Sequence, residues 1–554
     1  MLAGNDSKKV QIRQRSPSND VVSALRQQFR FPPYADRRPS VLDRDATGRE
    51  YNESVRRFSL TMQNEPAVIV EPVESHDVAA AIRIARRFTL PIAVCGAHGA
   101  GNGTIARGGV LISLRKMRLV SVNSDRSVTC AGGSWARDVD AAAGNHGLAV
   151  VNWLVMFLDV RAQHLMDIWR STNGNCSVGG VTLGGGYGWL SGEYGLCCDN
   201  LVKATIVLGD GTICNTSHQE NEDIFWAIRG GGANFGVVTS LTFRAFEQKS
   251  PVFFGCLSFP FKALILVDVV KAINQIQSSM NGKTAMMLRL EMPGPTHLPT
   301  INILLYHNGS ESSSRQVFHP LLSLSPRRSQ LRYPISFSSV TGTLEFLRDH
   351  APTTGLRRAW TGAFLPRTIC PALLQSLFNR LVADSQANAA NYALLGVDII
   401  DPRKTCSVPL TETACAARVD GCNAYVRISW SEAKHDAAVR KTIEEMGQQM
   451  RKLSPGAPNT PSGWPGYCDG GENVFASPPP FRCSAGGGMR PLREMTAQEA
   501  YGPNLARLQA IKARYDPNNL FVGGIPIPLA SSSPDTTHDD SAGGKRSSRH
   551  RGST

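Results

Sequence analysis

The stretch AVCGAHGAGNGTIARGGVLISL, Ala93 to Leu114, sets a single histidine inside a glycine-rich turn between two apolar runs. Pro91 opens the first run, and Ile92 to Cys95 reads as a strand; Gly109 to Leu114 reads as another. Between them, Gly96, Ala97, His98, Gly99, Ala100, Gly101, Asn102 and Gly103 carry little bulk apart from the imidazole. Glycine permits positive φ and lets several backbone N–H groups converge on an anion such as a pyrophosphate. A histidine in such a turn presents a reactive ring nitrogen with few bulky neighbours. A dinucleotide fingerprint of the G-x-G-x-x-G kind needs strand, turn and then helix. Here a strand follows the turn, no helix start is available to hold the phosphates, and that fold is excluded.

Two more glycine clusters lie downstream, CSVGGVTLGGGYGWLSGEYG at 176–195 and RGGGANFGVV at 229–238. One cluster is ordinarily a tight turn, but three point to a dinucleotide site. Around them the chain alternates short strands and helices. Ala67 to Val70 reads as a strand, and Ser75 caps a helix whose Val78, Ile82 and Ala85 share a face. Ser134 caps another helix that closes near Gly147. KATIVLGDGTICNTS is a hairpin turning at Gly209 to Gly211, Asn221 starts a short helix, and residues 235–246 form a strand. Farther on, TAMMLRLEM, TINILLY, YALLGVDII and AYVRISW read as strands, with helices such as KALILVDVVKAINQIQSSM between them. That pattern predicts an α+β protein whose second sheet is covered by helices on one side. The C-terminal QEAYGPNLARLQAIKARYDPNNLF reads as one amphipathic helix stopped by Pro517.

The implied division is a disordered N-terminus at 1–35, a dinucleotide-binding domain at 36–247, a second domain at 250–490, a C-terminal segment at 495–525 that returns to the first domain, and a disordered tail at 530–554. The chain's 554 residues suit two or three lobes, and its apolar fraction of 42% supplies a sizeable core. The net charge of +14 suits an anionic cofactor. The basic residues are scattered, and the one dense run, KRSSRHR at 545–551, sits in the polar tail. Without aromatic platforms between basic groups, nucleic-acid binding is not expected. The 13 cysteines show no CxxC or Cys/His spacing, so neither a disulfide framework nor a metal site is expected. No apolar segment resembles a secretory signal or a membrane span, and a soluble, cytoplasmic protein is expected. Nothing in the sequence addresses its oligomeric state.

These motifs together, AVCGAH, HGLAV, VGGVTLGGGYGWLSGEYG, FWAIRGGGANFGVVTS and YDPNNLF, resemble the berberine bridge enzyme-like FAD-linked oxidases of the vanillyl-alcohol oxidase and p-cresol methylhydroxylase superfamily. The match covers most of 60–250 and the C-terminal segment. The resemblance implies a two-lobed FAD-binding fold with a helix-covered antiparallel-sheet substrate domain. It implies hydride transfer from a small organic substrate, such as a secondary metabolite, to covalently bound FAD, with O2 reduced to H2O2.

By the same resemblance, His98 is bonded to the 8α-methyl carbon of the flavin. Cys95, Gly96, Ala97, Gly99, Ala100, Gly101, Asn102 and Gly103 line the pyrophosphate side. Cys176, Ser177, Val178, Gly179, Gly180, Gly184, Gly185 and Gly186 flank the flavin. Gly236, Val237 and Val238 close over it, and Asn504 lies near the ring. Many relatives carry a second link from a cysteine five residues before V-G-G; Asn173 stands there, so attachment through His98 alone is expected. Cys176 falls where family oxidases have a small residue governing oxygen access, although an inert packed thiol is the other reading. The relatives' V-C-G-G-G-H is one residue longer than VCGAH here. Tyr467 in GYCDGG is the candidate base, with Asp469 in place of the asparagine of the relatives' Y-x-N. Residues 152–171 are an insertion that reads as a retained intron or a tolerated loop, and the spacer near 470–495 is also long. The competing interpretation is a damaged, non-catalytic member of the family.

Overall fold

The computed structural model describes residues 17–30, 37–55, 59–62, 65–96, 108–151, 177–292, 298–343, 356–388, 390, 392–452, 496–521 and 525–529. Strands β1 (Ser40–Leu42), β2 (Val68–Glu71), β3 (Ile92–Cys95) and β4 (Val110–Ser113) form a sheet in the order β1-β2-β4-β3. The runs on either side of the first glycine turn are therefore parallel neighbours, with Ile92 opposite Val110 and Cys95 opposite Ser113. The helix Ser75–Arg87 covers this sheet, burying Val78, Ile82 and Ala85 against Val68, Val70 and Ile112. Its cap is not Ser75. Asp77 Oδ2 accepts from the backbone of Val73 and Glu74 at 3.0 and 3.2 Å, while the Ser75 hydroxyl bonds Thr239 Oγ1. The N-terminal stretch, too polar to suggest fixed structure, contains a helix at Pro17–Gln28 whose Val21 and Leu25 join this same core.

Next come β5 (Val120–Val122), β6 (Val128–Ala131), β7 (Leu148–Val150), β8 (Leu201–Val207), β9 (Ile213–Ser217), β10 (Val237–Phe243) and β11 (Ala245–Glu247). Five of them make a sheet in the order β5-β6-β10-β8-β9, and β7 pairs with β11. The expected strand 235–246 is thus two strands, parted at Arg244, whose N–H turns aside to Asn200 O at 2.8 Å. The helix Ala136–Gly144 starts at Trp135 rather than Ser134, because Asp138 holds the Trp135 N–H while Ser134 Oγ donates to Leu119 O.

The third sheet is antiparallel throughout: β12 (Val252–Pro260), β13 (Thr284–Met292), β14 (Thr300–His307), β15 (Arg328–Ile335), β16 (Arg357–Pro366), β17 (Tyr392–Ile400) and β18 (Gly421–Trp430), ordered β15-β12-β14-β13-β17-β18-β16. Strand periodicity sends alternate residues to opposite faces. On β13, Met286, Leu288, Leu290 and Met292 meet the covering helices Ala263–Ser278, Pro371–Ala387 and Asp436–Arg451. Ala285 and Met287 face the other way, toward Tyr187, Trp189, Leu190 and Leu196 of the second glycine segment. Trp189 stacks on Tyr306 with ring centroids 5.3 Å apart and meets Phe254 edge-on at 5.6 Å. Among the described residues no helix is long and apolar enough to cross a membrane.

The C-terminal segment is two helices, Ala497–Tyr501 and Leu505–Tyr515, joined by a 3-10 turn at Gly502–Asn504. The expected single helix breaks because Gly502 adopts φ 49° and Pro503 follows it. Tyr501, Leu508 and Ile511 pack on Phe225, Trp226 and Phe235, returning the segment to the five-stranded sheet's core. Lys512, fully buried, donates to Asn234 O, Phe521 O and Asp516 Oδ2, the last at 2.6 Å. Removing one partner of such a pair leaves a charge stranded in the interior. Lys512→Met is expected to lower unfolding stability by about 3–5 kcal/mol, read from the denaturant midpoint.

Candidate active site

Gly132, directly after β6, is the point where the expected cofactor-binding pieces meet. A Cβ on Gly132 would lie 2.3 Å from Val238 O, and one on Gly96 would lie 2.2 Å from Ser177 Oγ. Ser177 Oγ donates to Gly132 O at 3.2 Å, and Gly132 N donates to Thr239 O at 2.8 Å. A Cβ on Gly179 would sit 2.9 Å from the Gly132 carbonyl. Cys95 ends β3 at this junction, and Val178 starts the short helix Val178–Leu183. Within that helix Gly180 is exposed between buried neighbours, and nothing lies within 4 Å of a Cβ placed on it. The junction therefore gathers bare backbone from three segments and leaves one face open, which fits a flat dinucleotide cofactor.

The remaining sequence candidates separate. Gly236 backs onto Val207 O, where a Cβ would approach to 2.5 Å, so it serves the crossing of β10 over β8; Val237 lies in the core against β2 and β4. Gly185 and Gly186 accept from the N–H groups of Cys198 and Cys197, at 2.9 and 2.8 Å, and lead into Tyr187. Gly184 closes the Val178–Leu183 helix. Asn504 Nδ2 is held by the carbonyls of Leu410, Thr413 and Ala414. Ala97, His98, Gly99, Ala100, Gly101, Asn102, Gly103, Cys176 and Tyr467, and the 152–171 insertion, lie outside the described residues.

A polar cluster that sequence reasoning missed faces this segment. Tyr187 reaches across to β17, where its hydroxyl donates to Asp398 Oδ2. Asn423 on β18, paired with Asp398 in register, donates to the same oxygen at 3.1 Å and to Tyr187 Oη at 2.9 Å. Burial is the main cause pushing the Asp398 carboxyl up to about 7, against the two hydrogen bonds and the charge of Arg289. Arg289 on β13 is 2% exposed and pairs with Glu291 at 3.2 Å; Tyr392 and Asn302 also donate to Glu291. Burial works against the charge on Glu291, but Arg289 and these donors hold its carboxyl below the usual range. Arg427 lies 5.1 Å over the Tyr392 ring. Among the described residues, Arg289 Nη1, Asp398 Oδ1, Asn423 Oδ1 and Tyr306 Oη have no hydrogen-bond partner. A buried polar atom left unpaired costs about 1–3 kcal/mol, so this face is built to meet further polar groups. The signal was available: Arg289, Glu291, Asp398, Asn423 and Arg427 interrupt largely apolar strands, each on the parity of its strand opposite the helix-covered face.

The antiparallel sheet laid against a glycine-built junction defines the flavin-binding fold of the vanillyl-alcohol oxidase type. The 6-hydroxy-D-nicotine oxidase of Arthrobacter nicotinovorans superposes with a TM-score of 0.69 at 20% identity, covering 90% of this chain and 99% of that one. The glucooligosaccharide oxidase of Acremonium strictum does so with 0.69 at 19%, covering 93% and 99%. A family described as "FAD binding domain" matches residues 66–157 and 161–217, and one described as "Berberine and berberine like" matches 490–527. The FAD-linked oxidoreductase pgmH of Aspergillus terreus is 30% identical over 500 residues, 88% of this chain and 93% of that protein. The FAD-linked oxidoreductase OXR2 of Pyricularia oryzae is 24% identical over 505 residues, covering 87% and 88%. The chain belongs to the berberine bridge enzyme-like family of FAD-linked oxidoreductases.

An aspartate whose pKa is raised on folding favours the folded state most at low pH. That contribution fades as pH climbs from near 4 to about 7, the folded value of Asp398. Wild-type stability measured relative to Asp398→Asn is expected to fall by up to about 1.4 kcal/mol per pH unit across that window and then level off, as checked by urea denaturation at several pH values.

Proposed function

We propose that the protein is an oxidase that takes a hydride from a small organic substrate, a secondary metabolite in class, and delivers the electrons to O2. The observation that carries this reading is the hydroxyl of Tyr187, which leaves the glycine segment and bonds Asp398 on the facing sheet. The substrate lies beside this pair, against the face that carries Arg289, Tyr392 and Asn423. A proton leaving the substrate passes to Tyr187 Oη while the tyrosine proton moves to Asp398 Oδ2. An acceptor with a pKa near 7 is matched to that transfer at neutral pH. Asn423 fixes both oxygens, and the apolar surround of Trp189, Tyr306 and Phe254 excludes water. FAD, when bound, supplies the hydride acceptor and yields hydrogen peroxide on reoxidation. Cys95, Gly96, Ser177, Gly179 and Gly180 would cradle it, and His98 would tether it.

The histidyl tether is supported by the Acremonium strictum glucooligosaccharide oxidase, described with a 6-S-cysteinyl, 8α-N1-histidyl FAD. With Asn173 at the position of the relatives' cysteine, His98 is our single attachment point. Tyr467 lies outside the described residues, and Tyr187 with Asp398 offers an acid–base pair without it.

Two substitutions test the relay. Asp398→Asn and Tyr187→Phe are each expected to lower kcat by roughly 10²- to 10⁴-fold while the flavin absorbance of the purified protein is kept. Unchanged turnover in both would remove the relay. Separately, acid-precipitated wild-type protein is expected to stay yellow and His98→Ala protein to release its colour; release from the wild type would contradict the tether.

A further inference from the structure

We propose that the substrate is a hydroxy acid whose carboxylate is held by Arg289, at the inner end of a polar row that crosses the seven-stranded sheet. Directly opposed residues of an antiparallel sheet share one face, and the register links four of them. Arg289 on β13 faces Asn302 on β14, Asn302 faces Ser258 on β12, and Ser258 faces Arg328 on β15. All four lie on the face turned away from the covering helices, because Leu288, Ile303, Leu257 and Leu331, of the opposite parity, pack into the helix-side core. Burial falls along the row: Arg289 is buried, Asn302 and Ser258 are half-buried, and Arg328 is exposed. β15 is an edge strand of the sheet, so the row leads from solvent to the interior. At its inner end stands a wall. Gly396 on β17 faces Arg289, and the Tyr425 ring lies over that glycine, where a Cβ would come within 2.1 Å of Tyr425 Cζ.

Arg289 is anchored on one side and open on the other. Nη2 donates to Tyr392 Oη at 2.9 Å and to Glu291 Oε2 at 3.2 Å, and Nε donates to Glu291 Oε1 at 3.4 Å. Nη1 has no partner, although the residue is 2% exposed. A guanidinium fixed along one edge presents its remaining N–H groups in a set direction, and a carboxylate matches them better than a neutral oxygen does. Glu291 does not occupy that place, since its oxygens are already taken by Arg289, Tyr392 and Asn302. Charge favours an anion as well. On this face of β12, β13, β14, β15 and β17, Arg289, Arg328 and Arg332 outnumber Glu291 and Asp398. Among the described residues no carboxylate pairs with Arg328, whose guanidinium meets the Gln330 amide on its own strand.

The hydroxyl follows from the adjoining row. Asp398 faces Met287 and Asn423, two residues along from the pairing of Gly396 with Arg289. That step is about 7 Å. Asp398 Oδ1 and Asn423 Oδ1 are acceptors without partners, and an alcohol supplies the donor they lack. A carboxylate on Arg289 and a hydroxyl at this pair then belong to one small molecule, with the two groups about a ring's width apart. The inference rests on the reading that the substrate lies against this face.

The test uses the flavin-loaded enzyme and two probes, each beside its methyl ester. Isothermal titration calorimetry with meta-hydroxybenzoate reads affinity. Anaerobic mixing with meta-hydroxymethylbenzoate reads bleaching of the flavin band, the alcohol losing a hydride and a proton to become an aldehyde. The hydroxybenzoate is expected to bind about 10- to 100-fold more tightly than its ester. Arg289→Lys keeps a charge beside Glu291 but loses the planar fork, and is expected to abolish that preference. Arg328→Gln, at an exposed position, is expected to reduce it about two- to fivefold. Arg332→Gln, on the same face but two rows away, is expected to leave it unchanged. An ester that binds as tightly as the acid overturns the proposal, as does an acid that does not bind. So does a preference that survives Arg328→Gln intact or falls equally in Arg332→Gln. A preference for the acid with no bleaching by either alcohol keeps the carboxylate site and counts against the oxidase reading. Bleaching by acid and ester alike, at equal affinity, keeps the oxidase reading and removes the carboxylate site.

Discussion

The fold hangs on one contact, between the second glycine segment and the inner face of the seven-stranded antiparallel sheet. It is apolar at its centre, where Trp189 lies between Tyr306 and Phe254, and polar at its working edge, where Tyr187 meets Asp398 and Asn423. Neither side is a complete site alone. The glycine segment supplies bare backbone and one phenol, and the sheet supplies the titratable groups. Arg418 and Asp199 clamp the same contact at its rim, with both side chains nearly inaccessible. Such a pair adds little net stability against an apolar alternative, but it penalises any misregistered docking that would strand either charge.

The sheet's two faces show how one strand pattern serves two ends. Residues of one parity on β13, β17 and β18 build a dry core with the covering helices. Residues of the other parity combine apolar packing with Arg289, Glu291, Tyr392, Asp398, Asn423 and Arg427. Burial makes these groups sensitive to one another. Glu291 stays ionised because Arg289 and several donors surround it, whereas Asp398, with fewer compensating charges, is lifted toward neutrality. Two carboxylates on one face thus differ in how readily they hold a proton.

Much of this architecture was legible in the chain. TAMMLRLEM and YALLGVDII coincide with β13 and β17 because mostly apolar runs, broken only at single polar positions, leave little choice of boundary. The glycine junction was legible too, since bulk-free segments in three places have few uses other than close approach. What escaped was the inner-face polar cluster. Asp398 sits alone in an apolar strand, and only its register partner Asn423, 25 residues away, and the charge of Arg289 on β13 give it meaning. The helix Pro17–Gln28 escaped because its few apolar residues become significant only against the helix Ser75–Arg87. Cap assignments failed at Ser75 and Ser134 for a related reason: nearby aspartates outcompeted the hydroxyls, which found partners elsewhere.

The clasp made by Tyr501, Leu508 and Lys512 has a consequence for how the molecule comes into being. The surface they cover, around Phe225, Trp226 and Phe235, leaves the ribosome long before the residues that shield it. Through most of synthesis that patch has no native cover, and the first lobe waits half-finished beside a growing second one. These helices act as a keystone, so a chain cut short before Tyr501 is left with a sticky, uncovered patch rather than a slightly smaller fold.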